Sequence, residues 1–175
     1  VDTKHPKDVF TFVRIRYNSW AGRGGAWRTD YPDADLNFSL RLQQVTSLKV
    51  NPVPVVLEIS EPELFDYPWI YAVEVGHWYL NNQEATRLRD YLLRGGFLMV
   101  DDFHGSWEWA IFKSSMDKIF PDRPIVEIPE DDAAFHVLYD LDQRIQIPSR
   151  MVIYSGVTWE RDGYTPHVRA IFDEN

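Results

Sequence analysis

The 175-residue sequence contains no cysteine. That excludes a disulfide framework, a thiolate metal site and a cysteine nucleophile. Positive charge is also scarce: 18 Lys and Arg stand against 27 Asp and Glu, for a formal net charge of −9. No nucleic acid is expected as a partner, and no anionic membrane surface, because phosphates repel such a chain. Long hydrophobic runs are missing too. None approaches the roughly 18 residues of a membrane span, so any membrane contact is expected to run through something other than this domain. The start, Val1-Asp2-Thr3-Lys4-His5-Pro6, is polar and has no Met. It reads as a processed or trimmed terminus, compatible with a removed signal peptide.

Apolar residues make up 45% of the chain and aromatics 15%, which sets it apart from disordered sequences. The length favours one domain over residues 1–175 with a sizeable core. Seven Trp and nine Tyr are more than such a core needs. Some are expected to line a groove or an interface. Charge is unevenly spread. Residues 1–50 hold eight basic and five acidic residues, a net of +3, and the remainder holds ten against 22, a net of −12. The early arginines Arg14, Arg16, Arg23, Arg28 and Arg41 either pair with acids inside the fold or mark a face for an anionic ligand.

Periodicity supplies the elements. Residues 9–17 (VFTFVRIRY) alternate and predict a strand. A loop with Gly22, Gly24 and Gly25 follows, then a helix from Asp33 or Asp35 to about Lys49, with Phe38, Leu42, Val45 and Leu48 near one face. Residues 53–59 and 69–75 predict two further strands, separated by a turn or short helix at 61–67. Pro54 puts the first of these near a sheet edge or marks the strand's start. Asn82 is the expected N-cap of a helix over 83–94, which Gly95-Gly96 ends. Residues 97–100 (FLMV) are apolar throughout, as in a central parallel strand covered on both faces. Residues 106–120 predict a helix stopped by Pro121, and 125–128 a fifth strand. Past Pro129 the pattern weakens. Residues 131–141 read as a short helix or irregular loop. Residues 151–154 and 167–172 predict strands of a C-terminal hairpin joined around Asp162-Gly163. The alternation implies an α/β fold: a three-layer, doubly wound, mostly parallel sheet flanked by helices, of flavodoxin-like type, with a C-terminal β-hairpin extension.

In such sheets ligands bind beyond the carboxyl ends of the strands. That rule selects residues 19–30, 76–78, 101–108 and 130–136. The most reactive group there is His77, Asp101, Asp102 and His104. Imidazole and carboxylate ligate divalent metals or share general acid/base work. His77, Asp102 and His104 are the candidate metal ligands, and a divalent metal is the one cofactor class these types suit. The alternative for Asp101 or Asp102 is to cap the next helix and tether a loop. Arg28, Asp30, Trp78, Trp107 and Glu108 are the candidate ligand contacts. The tryptophans Trp20, Trp27, Trp78, Trp107 and Trp109 either stack on sugar or planar ligands or pack as a lid over the sheet ends.

The stretch Ala21-Gly22-Arg23-Gly24-Gly25 sits where a phosphate loop would sit, but it matches neither GxGxxG nor GxxxxGK[ST]. Ser106 follows a strand and opens a helix, yet Gly-x-Ser-x-Gly is absent, which leaves it as an N-cap. His5, His136 and His167 carry no constellation.

Several strings together resemble a known family: WRTDYPDADLNF (27–38), YPWIYAVEVGHW (67–78), LRDYLLRGGFLMVDDFHG (88–105) and FPDRPIVEIPEDDAAFH (120–136). They are similar to the bacterial domain-of-unknown-function family DUF4159, from the first strand to His136, and GGFLMVDDFHG is the most specific part. The resemblance implies a Rossmann-like sheet similar to class I glutamine-amidotransferase domains. It also implies an exported, periplasmic or membrane-associated bacterial protein, with the cytoplasm as the alternative. An amidotransferase nucleophile would be a Cys at the turn after the fourth strand. Residues 101–105 hold none, so glutaminase chemistry is excluded. Relatives are expected to continue past Phe172 with a further strand and helix, so this chain reads as shortened at its C-terminus.

Three functions remain. One is a ligand- or partner-binding module on an amidotransferase-like scaffold, taking a small molecule, a glycan or an envelope protein. The second is a metal-assisted or acid/base hydrolase using Asp101, Asp102, His104 and His77. The third is a structural module of an envelope assembly whose aromatics anchor an interface.

Overall fold

A computed structural model describes residues 8–19 and 25–172. Within the expected glycine-rich loop, Trp20, Gly22, Arg23 and Gly24 lie outside the described residues, as does His5. The elements run β1 (Val13–Ile15), β2 (Asn18–Ser19), α1 (Asp33–Val45), β3 (Val55–Leu57), β4 (Trp69–Val73), β5 (Trp78–Tyr79), α2 (Asn82–Leu93), β6 (Phe97–Asp101), α3 (Gly105–Ile119), β7 (Val126–Glu127), α4 (Arg150–Tyr154) and β8 (Arg169–Ala170). Short 3-10 turns lie between several of them. Strands β3, β1, β4 and β6 form, in that order, a four-stranded parallel sheet flanked by helices. The chain is therefore α/β, with a sheet compatible with a Rossmann-like fold.

Alternation along the strands divides the side chains between two faces. Val13, Ile15, Ile70 and Ala72 join the larger core with Ala85, Leu88 and Tyr91 of α2 and Phe112, Met116 and Ile119 of α3. Each fully buried Leu or Ile here contributes roughly 1.5–3 kcal/mol. Phe12, Tyr71 and Val73 face the other way, beside Phe10, Trp69 and Met99. Phe38 of α1 lies edge-on to Phe12 at 5.4 Å and stacks on Trp69 at 5.5 Å.

Arg14 lies on that second face and is fully buried with Asp35 of α1. Its Nε donates to both Asp35 oxygens at 3.0 Å, one Nη donates to Oδ1 at 2.7 Å, and the other reaches the carbonyls of Trp27 and Thr29 at 3.1 Å. The guanidinium also lies 5.0 Å from the centre of the Tyr71 ring. This clamp ties the segment leading into α1, at Trp27 and Thr29, and the first turn of that helix to the sheet. It explains why α1 buries Asp35; the helix ends at Val45, so Leu48 lies beyond it and is exposed.

Helix α2 begins one residue earlier than its spacing predicts. Asn81 is the N-cap: its side chain accepts from the Glu84 N–H, and Glu84 accepts from the Asn81 N–H, each at 2.9 Å. At the other end, a Cβ on Gly96 would overlap the Tyr91 ring, which is buried and donates its hydroxyl to the Tyr67 carbonyl at 2.9 Å. Gly96→Ala is expected to expel that ring and cost roughly 1–3 kcal/mol by overpacking. Urea denaturation measures it, and an unchanged midpoint would reject this account.

Three expectations are corrected. Residues 97–100 form an edge strand, not a central one; Phe97 is 59% exposed because the far side of β6 has no sheet partner among the described residues. The fifth strand does not join the parallel sheet. Val126 and Glu127 pair antiparallel with Ala170 and Arg169, and this β7–β8 ladder is the C-terminal hairpin. Its expected first strand, 151–154, is instead helix α4, where the Ile153 N–H bonds the Ser149 carbonyl at 3.0 Å.

Candidate functional site

Strands β4 and β6 end side by side, with Val73 opposite Asp101. The next residue of each, Glu74 and Asp102, turns into the left-handed region with φ of 54° and 57°. Non-glycine residues there carry strain of about 1–3 kcal/mol, which surrounding contacts must hold. At Glu74 the holding contacts are visible. Its N–H donates to the Asp101 carbonyl at 3.1 Å, and the Tyr17 hydroxyl lies 2.7 and 2.8 Å from the carbonyls of Val73 and Glu74. Burial, then the charge of Glu74, keeps that hydroxyl protonated.

A tight turn, Val75–His77, then carries the backbone against α3. Gly76 permits the approach, since a Cβ there would overlap Cβ and Cγ of Glu108. Glu108 is 1% exposed. Its Oε2 accepts from the His104 N–H at 2.5 Å, and its Oε1 lies 3.1 Å from His77 Nε2 and 2.6 Å from an Nη of Arg161. His77 Nε2 is also 3.6 Å from Glu74 Oε2. Beside this group, His104 Nε2 and Asp102 Oδ1 are 3.0 Å apart. A fourth segment closes the rim, because Asp162 Oδ1 accepts from the Ser106 N–H at 2.9 Å and so caps α3 from 56 residues away.

Titration follows from this crowding. Burial first, and then the charges of Asp102 and Glu108, push the Glu74 carboxyl up to about 7. The hydrogen bond with Asp102 raises His104 against the opposing effect of burial. Asp101 is raised by desolvation of its carboxyl and by Asp102.

The sign for Glu74 is definite. The unfolded carboxyl titrates near 4.5, so the native state binds the extra proton between about 4.5 and 7. Its favourable contribution is complete below that window and is lost as pH rises through it. His104 acts in the same direction, so only a Glu74 variant isolates the effect. Glu74→Gln is expected to gain stability over the wild type as pH rises from 4.5 to 8. Urea midpoints at both pH values test this, and parallel profiles would contradict it.

The structure brings His77 and Glu108 into contact and sets Asp102 and His104 beside them. Asp101 lies apart, since alternation points it toward Tyr71 on the α1 face. Arg28 and Asp30 are exposed on the segment leading into α1, and Arg28 lies 5.9 Å from the Trp27 ring centre. Trp107 is 59% exposed, with its ring 6.2 Å from that of His77. Trp78, expected as a ligand contact, is 1% exposed and stacked on Phe112 in the core. Residues 130–136 do not reach the cluster in any described contact; His136 bonds Asp140 and the Glu130 carbonyl.

Sequence reasoning missed Glu74 and Arg161. Glu74 is the first residue beyond the carboxyl end of β4, but the strand that the apolar pattern predicts runs to residue 75 and takes Glu74 inside it. Nothing local marks Arg161, which reaches Glu108 from a distant turn.

Glu74, His77 and Glu108 each offer one ligand atom, and these atoms all lie within 4.8 Å of one another. Two ligands about 2.1 Å from one ion sit about 3.0–3.4 Å apart, which the 3.1 and 3.6 Å separations approach. One imidazole with two carboxylates suits a borderline or hard divalent cation.

Tyr17 also lines a cavity of about 270 Å³, together with Arg16, Asn18, Ser19, Trp27, Glu58 and Glu84. No helix among the described residues is long and apolar enough to cross a membrane.

These features define an α/β protein with a strained acid–imidazole cluster at the carboxyl rim of a parallel sheet. The chain belongs to the family described as domain of unknown function (DUF4159), whose model matches residues 11–175. No curated protein matches it.

Proposed function

We propose that the chain is a single ligand-binding domain on a doubly wound, amidotransferase-like scaffold, and that its site takes a divalent cation at Glu74, His77 and Glu108. The carrying observation is the convergence of one imidazole nitrogen and two carboxylate oxygens within 4.8 Å at a strained sheet rim. The absence of cysteine removes the nucleophile that glutaminase chemistry needs. Exposed Trp107 beside His77 supplies a face for a planar or sugar ligand bound next to the ion. A small molecule, a glycan or an envelope protein of an exported bacterial assembly is the partner class this reading favours. Calorimetric titration with Mn, Zn, Mg and Ca tests it. Saturable binding of at least one ion supports the reading; no binding by any of the four rejects it.

A second reading is metal-assisted hydrolysis. It draws on Asp102, held in the left-handed region at a strand-to-helix turn and paired with His104. There the ion would activate water, and the pair would move a proton. An Asp102→Ala, His104→Ala double variant that keeps the metal but loses turnover of a model ester or phosphoester would support it. Absence of turnover in the metal-loaded wild type would reject it for those substrates.

A further inference from the structure

Arg161 is a cation already seated at this rim, and it comes from a segment far along the chain from β4, β6 and α3. Its Nη lies 2.6 Å from Glu108 Oε1, the same oxygen that faces His77. We propose that residues 160–163 form a strap over the site, and that an incoming divalent cation binds by displacing Arg161 from Glu108. The inference rests on the cation-binding reading above and adds its regulation.

Four observations carry it. Glu108 is 1% exposed, whereas the Arg161 side chain is 49% exposed, so Arg161 is the partner free to leave into water. Arg161 has φ of 54°, a left-handed backbone that the surrounding contacts of residues 160–163 must hold. The strap is pinned on both sides of Arg161: Glu160 accepts from the Ser149 N–H at 2.6 Å, Asp162 caps Ser106, and the Gly163 carbonyl accepts from Gln146 at 3.0 Å. Finally, α3 makes room for it. Gly105 has φ of 74°, and a Cβ there would overlap Asp162 Oδ1. A divalent ion bridging His77 and Glu108 would compete with Arg161 for Glu108 Oε1 and would be repelled by the guanidinium charge beside it.

The test compares Mn binding to the wild type, Arg161→Gln and Asp162→Ala, with circular dichroism confirming that each is folded. Arg161→Gln is expected to bind Mn at least tenfold tighter. Asp162→Ala is the sharper probe. It removes a negative charge, which alone weakens cation binding, yet it frees the strap and is expected to tighten binding. In the wild type, tryptic cleavage after Arg161 is expected to accelerate when Mn is added.

Equal or weaker Mn binding by both variants, with Mn still bound by the wild type, would overturn the strap and leave the cation site standing. Tighter binding by Arg161→Gln but weaker binding by Asp162→Ala would reduce the effect to simple charge and also overturn the strap. No Mn binding by any of the three would refute the cation reading itself, and the strap with it.

Discussion

Arg14→Met is expected to destabilise the protein by about 3–5 kcal/mol, the cost of stranding a buried charge. The wild-type pair is fully satisfied: Asp35 accepts three close contacts from the guanidinium, and two backbone carbonyls take the remaining Nη. Removing the cation leaves an acid with no exposure on the inner face of α1. It also frees the carbonyls of Trp27 and Thr29, which hold the loop leading into that helix. The double variant Arg14→Met, Asp35→Leu is expected to recover most of the loss, because replacing both charges with apolar groups avoids the desolvation that one lone charge incurs. Urea denaturation of wild type and the two variants measures both effects. Losses that simply add in the double variant would show that the pair does not act as a unit.

Glu74→Gln combined with His77→Ala is expected to weaken divalent-ion binding by about a hundredfold or more. Altering groups merely behind metal ligands already costs about 10–100-fold, and this variant removes two of three proposed ligands. Asp117→Asn, whose side chain pairs with Lys113 on the exposed face of α3, is expected to leave the affinity unchanged. Proton competition gives a second signature. A carboxyl pushed up to about 7 must release its proton before it ligates, so wild-type affinity is expected to rise as pH passes upward through that value. Calorimetry at pH 6 and pH 8 reads both effects. An affinity indifferent to the double substitution would place the ion elsewhere.

The legible parts of the fold were those written locally. The capping box at Asn81 and Glu84 and the Gly95-Gly96 stop delimit α2 to within one residue. The strand cores and the rule that ligands gather beyond strand ends select residues 76–78 and 101–108 together, and His77 lies 3.1 Å from Glu108 in the fold. What failed was non-local. An apolar run such as 97–100 fits either a central strand or an edge whose outer face stays open, and only neighbours decide. Residues 151–154 (MVIY) have strand propensity, yet they form a short helix, where tertiary context overrides a weak local preference. Arg14 sits at a polar beat of an alternating strand, which reads as outward. Its inward place depends on Asp35, 21 residues away. The resemblance strings map onto these same devices. The WRTDYPDAD portion is the loop and helix start clamped by Arg14, and GGFLMVDDFHG runs from the Tyr91 contact to the strained Asp102.

Mn-soaked crystals examined by anomalous scattering address the central claim most directly. A single strong peak is expected about 2.2 Å from Oε2 of Glu74, Nε2 of His77 and Oε1 of Glu108, with Arg161 swung clear. A peak at Asp102 and His104 alone, or none at the sheet rim with Mn in saturating amount, would contradict it.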